Sequence, residues 1–130
     1  LIQQKAKPTK ASAIQIGDPV SYKKAVNELK YFNGVVEAVT EMELMDWKAR
    51  IDNIGISICP NSAVAVAGTM KLRQDGIINK EDNVVVILTA HGSKFSNTAV
   101  DYHQDSSNKY ANETVTIHPD INELEGVLFP

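Results

Sequence analysis

Apolar positions recur with a helical period in three stretches of this chain and form an unbroken run in a fourth. Tyr22, Val26, Leu29 and Phe32, with Ala25 beside them, make a stripe opposite Lys23, Lys24, Glu28 and Lys30, the pattern of a helix buried on one side. Asp18-Pro19 predicts its start, with the carboxylate capping free N–H groups and proline in the first helical position. Asn33-Gly34 predicts a left-handed stop. A second helix opens at Thr40, where Glu43 completes a capping box; it turns Leu44, Trp47, Ile51 and Ile54 inward and ends at Gly55. A third opens at Pro60-Asn61-Ser62 and is rich in small residues, Ala63 to Gly68, which permit close approach to a neighbour. It gains Met70, Lys71, Leu72 and Arg73 as it leaves the core and ends near Gly76. Residues 34–39 read as a short strand and residues 56–58 as a brief extended stretch. The unbroken run is Val84-Val85-Val86-Ile87-Leu88, the signature of a strand buried on both faces in a mostly parallel sheet.

The order helix, strand, helix, short strand, helix, strand implies parallel pairing with right-handed crossovers. The expected fold class is α/β, part of an open, mostly parallel twisted sheet with flanking helices. Two convincing strands do not make a stable open sheet. The remaining strands are therefore expected elsewhere, and the isolated chain should expose apolar surface where they dock. Residues 11–17 suit an extended pass or loop, residues 93–110 a polar surface loop, and Pro119-Asp120 a short terminal helix. The chain shows no internal repeat.

The run at residues 84–88 stops on Thr89-Ala90-His91-Gly92-Ser93-Lys94. Ligands of open α/β sheets bind beyond the carboxyl ends of the strands, so this is where a site is expected. The alternative is a strand running into a turn, with Thr89 and His91 satisfied by nearby backbone.

Composition narrows the partners. With 130 residues, the chain is one domain or a piece of a larger one. A formal charge of -3 gives no electrostatic reason to approach nucleic acid or an anionic membrane. Lys5, Lys7 and Lys10 beside Pro8 read as a solvated lead-in. No apolar run approaches the ~20 residues of a membrane span, and no signal-peptide pattern opens the chain. The first residue is Leu1 rather than Met, which raises the expectation that further residues precede it. Cys59 is the single cysteine, so no internal disulfide forms and a reducing compartment is the default. Between Ile58 and Pro60 it reads as a packed thiol without redox or nucleophilic duty. His91, His103 and His118 lack the spacing of metal ligands, so no metal is expected. Asn112-Glu113-Thr114 matches a glycosylation acceptor by chance.

Four segments in register carry a resemblance over residues 11–103. Ser12-Ala13-Ile14-Gln15-Ile16-Gly17-Asp18-Pro19 comes first, then Gly34-Val35-Val36-Glu37-Ala38-Val39-Thr40 with the helix after it. Cys59-Pro60-Asn61-Ser62-Ala63 and Leu88-Thr89-Ala90-His91-Gly92-Ser93-Lys94 follow. Together they resemble the threonine synthases, and the Cys-Pro pair and Gln-Ile-Gly-Asp-Pro-Val-Ser wording lean toward the plant-like branch. Ala90 and Ser93 stand where glycine and leucine are commoner, a change that could alter pocket shape.

The resemblance implies a pyridoxal-phosphate enzyme of the β-family (fold type II), with two α/β domains and pyridoxal 5'-phosphate between them. The implied reaction converts O-phospho-L-homoserine and water to L-threonine and phosphate. Residues 1–130 correspond to the carboxyl-terminal portion, with a polar tail from about 104. Thr89 maps onto the threonine that faces the pyridine nitrogen of the cofactor. Ser62 is either a pocket residue near the ring or a plain N-cap. His91 is expected as a structural donor at its turn and Asp18 as a helix cap. The family's Schiff-base lysine, in a Ser-Phe-Lys type motif, and its Gly-Asn-rich phosphate loop do not occur here, and nothing promotes Lys94 to that duty. No catalytic residue is assigned to this chain, which is expected to be inactive alone and to bind no cofactor covalently. Implied partners are the remainder of the same enzyme and a second copy in a homodimer, in cytoplasm or plastid. The competing readings are a paralogous lyase on the same scaffold (threonine dehydratase or cysteate synthase), or a non-catalytic half-fold used for binding or assembly.

Overall fold

A computed structural model describes residues 4–130, so Leu1 lies outside the described residues. Five helices follow in order: α1 (Tyr22–Tyr31), α2 (Glu41–Asn53), α3 (Pro60–Gln74), α4 (Ser96–Gln104) and α5 (Ile121–Leu128). Short 3-10 turns occupy Ser12–Ile14, where an extended pass or loop was expected, and Gly92–Phe95.

Local capping chemistry sets the ends of these helices. At α2, the Glu43 N–H donates to Thr40 Oγ1 at 3.2 Å, and the Thr40 N–H donates back to Glu43 Oε2 at 2.6 Å. This is the predicted capping box. The Thr40 N–H, then its hydroxyl, hold the Glu43 carboxyl below the ordinary glutamate range. Three helices close with the same turn. Gly34 N–H donates to Leu29 O, Ile56 N–H to Ile51 O and Ile77 N–H to Leu72 O, each around a left-handed residue: Asn33 (φ 52), Gly55 (φ 88) and Gly76 (φ 73). At α1 it is Asn33, not Gly34, that takes the left-handed conformation. The start of α1 also differs from expectation. A turn from Tyr22 N–H to Pro19 O leads in, and Ser21 holds the cap position without a side-chain bond. Asp18 therefore does not occupy the cap, because the fixed φ of Pro19 suits a lead-in turn as well as a first helical turn.

The packed centre is the contact of α2 with α3. One cluster joins Leu44, Met45 and Ala49 of α2 to Ala11 and Tyr102, with Val39, Val64 and Tyr110 against it. A second joins Ile58 to Ala63 and Val66, with Trp47, Ile51, Met70 and Val86 around it. The small residues of α3 let the two helices come close. The buried face of α2 is rotated from the predicted one: Met45, Lys48 and Ala49 are buried with Leu44, whereas Ile54 is exposed. Ile54 is the C-cap, where the chain already reverses. Lys48 is tolerated inside because its ammonium pairs with Asp52, whose other oxygen accepts the Ile58 N–H at 3.0 Å.

The polar segment after Gly92 is more ordered than its composition predicts. α4 buries Tyr102, whose hydroxyl donates to Asp46 on α2 and accepts the Tyr110 N–H at 3.3 Å. Burial first, then the Asp46 hydrogen bond, push the Tyr102 phenol up to about 12. Arg50 lies over the Trp47 ring at 3.8 Å and faces Tyr110 at 5.3 Å. α5 forms where Pro119-Asp120 predicted it, with Asp120 accepting the Asn122 and Glu123 N–H groups.

The expected strands are the main departure. Among the described residues no strand ladder forms, and the isolated antiparallel bridge joins Ile58 to His91. Residues 84–88 are not fully buried: Val85 is 88% exposed and Ile87 75%, while Val86 alone packs inward. Residues 34–39 are open in the same way, with Val36 75% exposed. A parallel strand is buried by neighbours on both sides and both faces, and no described segment takes those places. The stripe of α1 likewise faces no core here; Val26 and Leu29 are half-buried and Phe32 is exposed.

Candidate functional site

The start of α3 and the end of the apolar run meet at Ser62. Cys59 is the N-cap of α3, with Pro60 in the first helical position, so Ser62 falls at the third, on the side facing residues 89–92. The plain N-cap alternative for Ser62 is thereby corrected: the Cys-Pro pair shifts the cap one residue ahead of the proline. Ser62 is 1% exposed. Its Oγ accepts the Thr89 N–H at 2.9 Å and, at 3.5 Å, the Ala90 N–H. The same oxygen lies 3.4 Å from Thr89 Oγ1 and 3.3 Å from Cys59 Sγ. Thr89 itself is exposed, so its hydroxyl is held from one side and open on the other.

Backbone contacts fix the height of this junction. Cys59 N–H donates to Ala90 O at 3.1 Å and Gly92 N–H to Ser57 O at 3.2 Å. Gly92 is buried, and a Cβ there would stand 2.5 Å from Ser57 Oγ and 2.8 Å from Ile58 O. His91 holds the turn as expected but with the opposite polarity: its Nδ1 accepts the Ser93 N–H at 3.1 Å instead of donating. Lys94 follows in the 3-10 turn and is exposed.

Cys59 and Asn61 complete the arrangement, and neither was singled out for this part by sequence reasoning. Cys59 is fully buried, and its Sγ accepts the Ser62 N–H at 3.4 Å and the Asn61 amide at 3.8 Å. Burial pushes the thiol up, while the hydrogen bonds from Ser62 and Asn61 outweigh it and leave Cys59 below the ordinary thiol range. Asn61 Oδ1 accepts the Ala13 N–H at 3.1 Å, which ties the Ser12–Ile14 turn to α3. The readable signal for Cys59 was its place directly before a proline at a helix start. Three of the four resembling segments thus converge here. The fourth is connected through Lys71 of α3, which pairs with Glu37 at 3.0 Å and donates to Ala38 O.

Chemically the junction is a chain of one sulfur and two hydroxyls ending in an open oxygen. Such a chain can offer either a proton or a lone pair to a ligand atom beyond Thr89. Among the described residues no group of three or more His, Cys, Asp or Glu gathers as for a metal, and no helix is long and apolar enough to cross a membrane.

Comparison with known proteins gives a consistent picture. A family model described as pyridoxal-phosphate dependent enzyme matches residues 1–90. The chain is 46% identical to threonine synthase 2, chloroplastic, of Arabidopsis thaliana, over 95% of this chain and 25% of that protein. It is 34% identical to the threonine synthase of Methanocaldococcus jannaschii over 98% of this chain and 30% of the relative. A Methanosarcina acetivorans threonine synthase is 38% identical over 72% of this chain and 23% of its own length. The chain spans about a quarter of the length of the curated relatives it matches.

Proposed function

We propose that this chain, which belongs to the pyridoxal-phosphate dependent enzymes, is in its residues 1–130 the carboxyl-terminal portion of a threonine synthase. The reaction assigned to the complete enzyme converts O-phospho-L-homoserine and water to L-threonine and phosphate. Relatives of that name cover nearly the whole chain. The observation that carries the reading is the Ser62–Thr89 junction, which places an open hydroxyl at the carboxyl end of the apolar run. In the complete enzyme residues 34–39 and 84–88 are read as parallel strands of an open, twisted sheet. Their exposed apolar side chains support this.

The residues fit pyridoxal 5'-phosphate through their donor chemistry. Bound there, the cofactor supplies an electron sink for charge that develops on the substrate's carbon skeleton. Thr89 is assigned to its pyridine nitrogen. A neutral hydroxyl suits an unprotonated nitrogen, whereas a carboxylate would draw a proton onto it. Ser62 holds Thr89 through the backbone N–H and the hydroxyl, from a position too buried for solvent to compete. The assembly is read as a homodimer; the similarity to a chloroplastic relative supports a plastid, with the cytoplasm as the other compartment.

The test is Thr89→Val in the complete enzyme, scored by phosphate release from O-phospho-L-homoserine and by the cofactor's absorption spectrum. Valine keeps the shape and removes the hydroxyl, so turnover should fall on the order of tenfold to a thousandfold, as for loss of one preorganised polar contact. Thr89→Ser should be much milder. Unchanged turnover and spectrum in Thr89→Val would make Thr89 a strand end and remove the site assignment.

A further inference from the structure

The head of α3 holds two other segments of the chain through two consecutive side chains. Ser62 accepts the Thr89 N–H at 2.9 Å, and Asn61 accepts the Ala13 N–H of the Ser12–Ile14 turn at 3.1 Å. Successive helical residues point about 100° apart, so the two partners occupy neighbouring sectors around one helix end. The turn is anchored from behind. Lys10 N–H donates to Glu41 on α2 at 2.9 Å, and Ala11 is fully buried in the cluster that holds Leu44 and Tyr102. Ile14 N–H donates back to Ala11 O at 3.0 Å and closes the turn. Its side chains are open: Ser12 and Ala13 are exposed, and Ile14 is 54% exposed. The Asn61 amide uses both its ends, since Nδ2 reaches Cys59 Sγ at 3.8 Å.

We infer that Asn61 is a positioning residue for pyridoxal 5'-phosphate: through the Ala13 N–H it sets the Ser12–Ile14 turn beside the Thr89 hydroxyl as a second wall of the cofactor site. With Thr89 assigned to the pyridine nitrogen, a reading on which this role rests, the part of the ligand nearest the head of α3 is the nitrogen edge of the ring. The carbon through which the cofactor reacts lies across the ring from that nitrogen. A wall at the head of α3 therefore touches cofactor and not substrate. Ile14 offers the apolar side chain that a flat ring packs against. Asn61 itself touches neither; it acts through the backbone of the turn. Its two ends separate by substitution. Asn61→Asp keeps an acceptor for the Ala13 N–H and gives up the donor to Cys59. Asn61→Ala gives up both.

The experiment uses the complete enzyme, stripped of cofactor and titrated with pyridoxal 5'-phosphate, with hydrogen exchange followed alongside. In Asn61→Ala the dissociation constant for the cofactor should rise on the order of tenfold, the scale of one lost hydrogen bond. The KM for O-phospho-L-homoserine at saturating cofactor should stay within about twofold, because the wall meets the ring and not the reacting chain. Asn61→Asp should bind the cofactor within about threefold of the parent and so rescue the loss. A structural tie alone would lower Tm in Asn61→Ala and leave the dissociation constant unmoved. In the parent apoenzyme, adding pyridoxal 5'-phosphate should slow exchange of residues 12–15 about threefold or more, a readout that needs no variant to fold. Unchanged cofactor affinity in Asn61→Ala, equal losses in the two variants, or exchange of residues 12–15 indifferent to cofactor each overturns the positioning role. A parent that binds pyridoxal 5'-phosphate but releases no phosphate from O-phospho-L-homoserine would instead overturn the threonine synthase reading, and the cofactor titration would still report on Asn61. A parent that binds no cofactor overturns both.

Discussion

The α2–α3 pair and residues 84–88 are both apolar, yet one is the core of the molecule and the other lies largely open. Leu44 is 2% exposed while Val85 is 88% exposed. The difference lies in where their partners come from. α2 and α3 are joined by a short connection, satisfy their own backbone groups, and bury their stripes against each other. An extended segment has no internal hydrogen bonds and relies on neighbours for its backbone and both its faces. Among the described residues, Val86 is the only one of the five that packs against the second cluster. A pair of helices can thus hold its shape from its own residues, while an open apolar run depends on neighbours.

Hydrogen exchange on the isolated chain breaks or sharpens this contrast most strongly. Amides in the middle of α3 should exchange on the order of a thousandfold more slowly than those of residues 84–88, because the latter need no opening event. Equal protection in the two regions would remove the contrast. Substitutions come next. Leu44→Ala should cost about 2–4 kcal/mol in urea unfolding, as for a buried leucine that leaves a cavity. Val85→Thr should stay within about 0.5 kcal/mol in the isolated chain and become clearly destabilising in the complete enzyme if neighbouring strands cover it there. Lys48→Ala should cost about 1–2 kcal/mol by the same assay, less than for a fully buried pair. Asp52 remains partly solvated and keeps the Ile58 N–H.

The smallest effect is a pH dependence confined to the packed region. The Tyr102 phenol is raised from 10 to about 12 in the folded chain. Between those values the folded state keeps a proton that the unfolded state has lost. Its stabilisation is complete below pH 10 and is lost as pH rises toward 12. Urea unfolding across that window should show stability falling with pH in the parent and a flatter profile in Tyr102→Phe. An identical slope in both would place the alkaline sensitivity elsewhere.

What the sequence revealed follows the range of the interactions involved. The Thr40–Glu43 box, the Gly55 and Gly76 stops and the Asp120 cap each lie within a few residues of their partners and were legible as spacings. The apolar run of residues 84–88 was legible too. Their burial was not, because burial belongs to the neighbours. The rotated face of α2 escaped notice because Lys48 looks like a surface residue until Asp52 and Ile58 are placed beside it. α4 escaped because Tyr102 sits in a polar stretch and is buried by a partner on another helix, Asp46. At the candidate site, Ser62 and Thr89 were picked out by resemblance, but their contact across 27 positions is a fact of the folded chain. Cys59 in the cap, and the polarity of His91, are likewise facts of the folded chain.

Gly92 carries one more consequence. Its backbone crosses Ser57 and Ile58 with no room for a methyl group, and Thr89 lies three residues before it. Any larger side chain would prise the two backbones apart and tilt the Thr89 hydroxyl away from the head of α3. The position works as a spacer of zero thickness: the gap between two segments is gauged by an atom that is missing. The height of the Thr89 hydroxyl over α3 is thus calibrated by steric exclusion, which neither pH nor salt can loosen.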